Sequence, residues 1–292
     1  MKITVFITSY NQRKYLKEAI DSVLSQTLPA AQIIIVDDCS IDGSQDIISD
    51  YLNSYPELFT PIFHKENTGV GQVRIDALNA VTSDFVTYVD GDDRFLQKKL
   101  EKEAAALHAN PNARIACSNN YYISEDGSQY LRQWVDQEEV PQGDVFWQTF
   151  ARAFPKRSLF RMELVEYDSW KQIGFHDPRF DIYEDFDMRI RLTKKLSMVY
   201  VDEPLSEIRT HRHGLSNSAL KTHFLTLDKV FRKNEYLLED LSPDERRKAK
   251  RMLGQWTGDI GIKAFYHSMR VGQFEDASRL LGLALHYRMR RS

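Results

Sequence analysis

Carboxylates in this 292-residue sequence gather at the ends of apolar runs. Asp37 and Asp38 follow QIIIV, Asp90, Asp92 and Asp93 follow FVTYV around Gly91, and Glu184 and Asp185 open the helical pattern EDFDMRIRL. If the chain stays extended beyond FVTYV, Asp90 and Asp92 face the same side, and Gly91 lets a ligand come close to the backbone. Hard carboxylate oxygens suit Mg²⁺ or Mn²⁺. Such an ion keeps water and substrate phosphates as its other ligands, so a two-carboxylate site implies a diphosphate. The same four residues also make an ordinary polar turn.

Asp38, at a strand tip, can accept hydrogen bonds from a base edge or ribose hydroxyls, or it can cap a helix, as Asp42 and Ser44 are expected to do. In NTGVGQVR, a G-x-G is followed by Arg74 where a dinucleotide fingerprint wants glycine. No GxxxxGK[ST] loop occurs. A helix starting near Gly69 would point free N–H groups at an anion, and Arg74 adds a fixed cation, although an internal salt bridge accounts for it equally. Acidic residues in a first helical turn are favoured by the helix dipole. On the wall of a cleft holding a metal and a diphosphate, such a carboxylate is also what a general base needs. IRTHRHGLSNS carries His211 and His213, either of which offers a nitrogen to Mn²⁺ or a contact to phosphate, or simply lies at the surface.

The elements that position these groups alternate in the first third: ITVFIT, QIIIVD, PIFH and FVTYVD as strands, with helices over 14–26, 44–53, 69–81 and 95–109 between them. Unbroken apolar runs such as IIIV fit strands covered on both faces, the habit of a mainly parallel sheet, and such sheets bind ligands at their carboxyl ends. From 112 the pattern is mixed, with strands expected at 114–118 and 157–162 and a hairpin turn at 125–127. After Ser218 it is helical to the end, with a first stretch that stops at Ser242-Pro243 and two further helices over roughly 244–256 and 258–289, the last broken at Val271-Gly272. The expected division is a domain over 1–218 and a C-terminal helical extension over 219–292.

Forty-two acidic against 39 basic residues leave a net charge of −3, so no global field draws the chain to nucleic acid. Its basic runs, DERRKAKR and RMRRS, lack the interleaved aromatics of single-strand sites; a solvated face or contact with anionic lipid explains them. Cys39 and Cys117 are too few for a disulfide framework, no signal-peptide core or membrane span is present, and the expected location is cytoplasmic, compatible with peripheral docking on the inner membrane face.

The ordered set ITVFITSYNQ, QIIIVDDCSIDGS, ENTGVGQVR, VTYVDGDD, YEDFDMRIR and RTHRHGLS resembles glycosyltransferase family 2, with its GT-A fold, over about residues 1–218. The resemblance implies that Thr8 and Asp38 contact the nucleotide, that Arg74 lies on the diphosphate side, and that Asp90 and Asp92 form the D-x-D pair holding a divalent cation and the donor, with neighbouring Asp93 sharing that role. It makes Asp185 the base on the acceptor hydroxyl, and His211, with His213 as the fallback, a metal ligand. The implied reaction is inverting transfer from a nucleoside-diphosphate sugar, UDP favoured, to a saccharide or lipid-linked acceptor in cell-surface glycan synthesis. Where the family often has glycine, this chain has Cys39. Two rivals are a sugar nucleotidyltransferase, which would want a glycine-rich loop where TSYNQRKY stands, and a non-catalytic sugar-nucleotide-binding module.

Overall fold

The computed structural model describes residues 1–211 and 219–289. Strands β1 (Ile3–Ser9), β2 (Gln32–Asp37), β3 (Phe59–Phe63) and β4 (Phe85–Asp90) run parallel, in the spatial order β3-β2-β1-β4. Every residue of β1 is buried, as are Ile33 to Asp37 of β2, because helices cover both faces of the sheet. Helix α1 (Arg13–Leu24) buries Leu16, Ile20 and Val23, while α2 (Ser44–Ser54) and α3 (Val70–Asn79) complete the βαβ units. The register Ser9↔Asp37 and Thr8↔Asp90 brings the carboxyl ends of β1, β2 and β4 to one edge.

Beyond β4 the sheet is mixed. The short β5 (Arg94–Phe95) precedes α4 (Lys99–Ala109), and a hairpin of β6 (Ala113–Ile123) and β7 (Tyr130–Gln133) turns around Asp126-Gly127. Then come α5 (Phe146–Phe150), β8 (Leu164–Glu166), α6 (Tyr167–Ile173), α7 (Glu184–Lys195) and β9 (Ser197–Arg209). The sheet continues β4-β8-β6-β9-β5; β8 is antiparallel to both its neighbours, and β6 and β9 are parallel. The strand expected at 157–162 is absent. Lys156, Arg157 and Met162 take positive φ angles of 54°, 53° and 53°, which break an extended run, and the Met162 carbonyl serves Thr87 and Lys99 side chains instead of a ladder. Likewise the helix expected from 95 starts at Lys99, since Arg94 and Phe95 pair with Glu207 and Ser206 of β9.

In the C-terminal part, α8 (Leu220–Asn234) gives way to a 3₁₀ segment over Glu235–Asp240. Helix α9 (Pro243–Arg270) starts at a capping box made by Ser242 and Glu245 and is continuous through 257, where a break was expected. Its Gly254, Gly258 and Gly261 are buried against α10 (Phe274–Met289), so they permit close helix packing; a Cβ at Gly261 would lie 2.7 Å from the Ala284 side chain. The break at Val271-Gly272 is present, with Gly272 at φ +76°. Phe231 of α8 meets Phe150 at 5.6 Å and Phe186 at 5.7 Å between ring centroids, so one hydrophobic core runs from the sheet into these helices. Among the described residues no helix is long and apolar enough to cross a membrane.

Candidate active site

At the common strand edge, Thr8 Oγ1 donates to Asp90 Oδ1 at 2.9 Å. Arg74, carried on α3, donates to the same oxygen at 3.1 Å through Nη2 and to Glu184 Oε1 at 2.6 Å through Nη1, with its guanidinium 4.8 Å from the Tyr88 ring centre. Arg74 thus ties the end of β4 to the first turn of α7. Burial pushes the Glu184 carboxyl up, against the pull of Arg74.

Asp185 stands beside it, 30% exposed. Burial raises its carboxyl, but the guanidinium groups of Arg189, Arg74 and Arg161 outweigh burial and hold it well below the usual carboxylate range. Arg189, one helical turn on, pairs directly with Asp185 and is itself fixed by Glu163 at 2.9 and 3.0 Å and by the Tyr88 hydroxyl at 2.7 Å. Asp185 is therefore an ionised, oriented and partly exposed carboxylate.

The Asp90–Asp93 segment is a turn closed by Asp93 N–H donating to the Asp90 carbonyl at 2.9 Å, so the extended geometry expected of Asp90 and Asp92 does not hold. Asp90 looks back toward Thr8 and Arg74, whereas Asp92 Oδ2 lies 2.6 Å from His211 Nε2. Nor does Gly91 serve ligand approach: its N–H donates to the Thr8 carbonyl at 2.9 Å, and a Cβ there would lie 2.7 Å from that oxygen. Asp93 is buried and accepts the Arg209 backbone N–H at 2.7 Å; burial and the charges of Asp92 and Asp90 hold it well above the ordinary carboxylate range. Arg209 also donates to the Asp92 carbonyl at 2.8 Å and to Glu18 at 2.9 Å, over the Tyr15 ring that stacks on His211.

Asp38 sits two strands from β4, about 10 Å at ordinary strand spacing. One oxygen accepts from Thr68 N–H and Oγ1 at 2.8 and 2.9 Å with His64 Nδ1 at 2.8 Å, and the other accepts from Gly69 N–H at 2.9 Å. Burial raises it, and these hydrogen bonds together lower it further, so Asp38 is ionised. It closes the loop leading into α3, a capping role for a different helix from the one that follows β2.

The donor chemistry fits a divalent cation with few protein ligands. Asp92 and His211 converge from β4 and β9, 19% and 15% exposed, and among the described residues no group of three or more metal-ligating side chains forms. A Mg²⁺ or Mn²⁺ held by one carboxylate and one imidazole would draw its remaining ligands from water and phosphate. His213 lies outside the described residues. Sequence reasoning passed over Glu163, Tyr88 and the roles of Arg189 and Arg209; only the i, i+4 spacing of Asp185 and Arg189 was available as a signal.

The family model described as Glycosyl transferase family 2 matches residues 4–168. A candidate teichuronic acid biosynthesis glycosyltransferase of Bacillus subtilis, TuaG, is 38% identical over 101 residues, 35% of this chain and 40% of its own. The chain spans 61% of the length of a Mycobacterium tuberculosis relative of unassigned function that it matches at 28% identity. Among solved structures, Staphylococcus aureus TarS 1–349 superposes with a TM-score of 0.68 at 15% identity, covering 97% of this chain and 90% of that one. A Pyrobaculum calidifontis mannosyltransferase in complex with GDP-Man and Mn²⁺ gives 0.63 at 16%, covering 99% and 83%. These likenesses show the GT-A fold.

Proposed function

The chain belongs to glycosyl transferase family 2, and from that premise we propose that it transfers a sugar from a nucleoside-diphosphate donor, UDP favoured, to a hydroxyl of a saccharide or lipid-linked acceptor with inversion, in polysaccharide biosynthesis. TarS has been captured with UDP-GlcNAc and the archaeal mannosyltransferase with GDP-Man and Mn²⁺, which supports a nucleotide-sugar donor and a divalent ion here. The single observation that carries the reading is the ionised, Arg189-oriented Asp185, partly exposed beside the Glu184–Arg74–Asp90 bridge that reaches the strand edge.

In this reading Asp185 takes the proton of the acceptor hydroxyl as that oxygen attacks the anomeric carbon. Its strong ion pair makes it a weak base in the ground state, so transfer comes late, when the attacking oxygen has become acidic. Arg74, locked between Asp90 and Glu184, fixes the wall on which the diphosphate lies. Asp92 and His211 would hold a divalent ion, which would supply charge neutralisation for the departing diphosphate. One displacement inverts the anomeric centre. Thr8 and Asp38 line the nucleotide end; Asp38 can accept a further hydrogen bond on the oxygen that, among the described residues, receives only Gly69 N–H.

The test is release of UDP from a panel of UDP-sugars with Mn²⁺. Wild type releases UDP from at least one, and Asp185→Asn loses most of that rate while binding UDP within a few-fold of wild type. Equal turnover by Asp185→Asn would remove the base.

A further inference from the structure

The hairpin tip between α9 and α10 closes through main-chain bonds. Gln273 N–H donates to the Ser268 carbonyl at 2.9 Å and Gly272 N–H to that of Met269 at 3.3 Å, the paired closure by which a helix ends at a left-handed glycine. The apolar side chains of the tip take no part in it. Tyr266, Met269, Val271 and Phe274 are between 41 and 64% exposed, and none of them belongs to the hydrophobic core or packs against it. Four large apolar side chains left outside within one short turn form a patch, and such a patch marks a contact surface.

Unpaired cations accompany it. Lys263, Tyr266 and Arg270 fall on one face of α9 at helical spacing. Among the described residues Lys263, Arg270 and Arg279 make no ion pair, while Asp259 is taken by Arg288 and Asp276 by Lys221, which leaves Glu275 as the acid without one between 259 and 289. This local excess of positive charge runs against the net −3 of the chain. An apolar tip with cations behind it complements an anionic bilayer, because the apolar groups enter the boundary between headgroups and acyl chains while Lys and Arg meet the acidic headgroups. A stable protein interface would need about 20–30 residues a side, more than this tip offers.

The tip stands beside the end of α7 that carries Asp185. Asp276, in the first turn of α10, pairs with Lys221 in the first turn of α8. In that same turn His223 Nδ1 lies 3.1 Å from the hydroxyl of Tyr183, the residue before Glu184 and Asp185. The basic run DERRKAKR is at the other end of α9, with Arg251 about 30 Å from Arg270 along the helix.

We infer that the tip over Tyr266–Phe274 docks on an anionic lipid bilayer and so turns the Asp185 end of α7 toward an acceptor anchored in that bilayer. This deepens the transfer reading above and rests on it for the acceptor, of which it selects the lipid-linked class.

The test is sedimentation of the full chain with vesicles of phosphatidylcholine alone and of equimolar phosphatidylcholine and phosphatidylglycerol, without nucleotide. The expected result is binding to the mixed vesicles, weak binding to phosphatidylcholine alone, and a fall at raised salt. Val271→Ser with Phe274→Ser, which changes no charge and leaves the core intact, should bind about tenfold more weakly, and Arg270→Gln should lose several-fold. Lys248→Gln with Arg251→Gln, in the distant basic run, should stay within about twofold of wild type. The added fluorescence of Phe274→Trp should shift to the blue on mixed vesicles. No binding to mixed vesicles, equal binding by the Val271→Ser, Phe274→Ser variant, loss with Lys248→Gln and Arg251→Gln instead, or an unshifted Phe274→Trp would each overturn the inference. So would self-association in sedimentation velocity that the tip variant abolishes, since a second copy would then cover the patch. Docking is read without nucleotide, so failure of UDP to bind would count against the transfer reading alone.

Discussion

Two adjacent carboxylates, Glu184 and Asp185, receive opposite treatment. Glu184 is buried against Arg74 and bridges to Asp90, while Asp185 is open and held ionised by Arg189. The division assigns bracing to the first and proton transfer to the second. Asp185→Asn is expected to cut kcat by about 10²–10⁴ with little change in nucleotide affinity, read by steady-state UDP release beside calorimetry. A different residue reports on stability. His176 is buried, its Nδ1 without a hydrogen-bond partner among the described residues and its ring tilted 51° to that of Trp170. Burial first, then the cations of Arg74, Arg189 and Arg191, hold its pKa well below 6.5, with Asp185 opposing them. The unfolded chain takes up this proton near pH 6.5 while the folded chain does not, so stability is full above that pH and falls below it. Between pH 6.5 and 5.5 the loss is about 1 kcal/mol. Urea unfolding should show that fall in wild type and a shallower one in His176→Gln; identical slopes would mean that His176 is not kept neutral.

At the scale of elements, the turn after β4 depends on Gly91 lying against the Thr8 carbonyl. Gly91→Ala should cost about 1–3 kcal/mol, as overpacking does, and weaken Mn²⁺-dependent nucleotide binding by displacing Asp92; denaturant unfolding and calorimetry on one sample read both. Cys39, where the family resemblance implies glycine, has φ +66°, a left-handed conformation that costs a non-glycine residue about 1–2 kcal/mol. Cys39→Gly should therefore raise the unfolding midpoint slightly, and a fall would show that the strain is not there. The departure was visible in the sequence, but its meaning needed the backbone. The same holds more widely. QIIIVD, FVTYVD and their carboxylates announced strands and a strand-end site because uninterrupted apolar runs and polar punctuation are local signals. The irregular run from Lys156 to Glu163 carries no local signal, because its φ reversals follow from bonds to Thr87 and Lys99 far away in sequence. The break expected at 257 fails for the corresponding reason: what Gly254, Gly258 and Gly261 pack against in α10 lies far away in sequence, at Tyr287, Arg288 and Ala284. The partners of Asp92 and Asp185 were legible as residue types; the divergence of Asp90 from Asp92 was not, since a turn and an extended strand end share one sequence.

For the molecule as a whole, the C-terminal helices are a buttress. Lys233 and Asn234 of α8 hold Asp187 of α7 at 2.8 Å each, and Phe231 fills the space between Phe150 and Phe186, so the helix that presents Asp185 is braced by the C-terminal helices. Phe231→Ala should cost about 3–5 kcal/mol by thermal or urea unfolding, with the folded fraction still binding nucleotide; a cost below 1 kcal/mol would mean the extension is separable. All of this serves one claim, that the edge of strands β1, β2 and β4 is a metal-dependent nucleotide-sugar site. Calorimetric titration of UDP, GDP and dTDP with Mn²⁺, repeated with EDTA and with Asp92→Ala, tests it most directly. Binding of one nucleotide that is lost both with EDTA and in the variant is the predicted result. Folded protein that binds none of the three, or binds equally without metal and without Asp92, would contradict it.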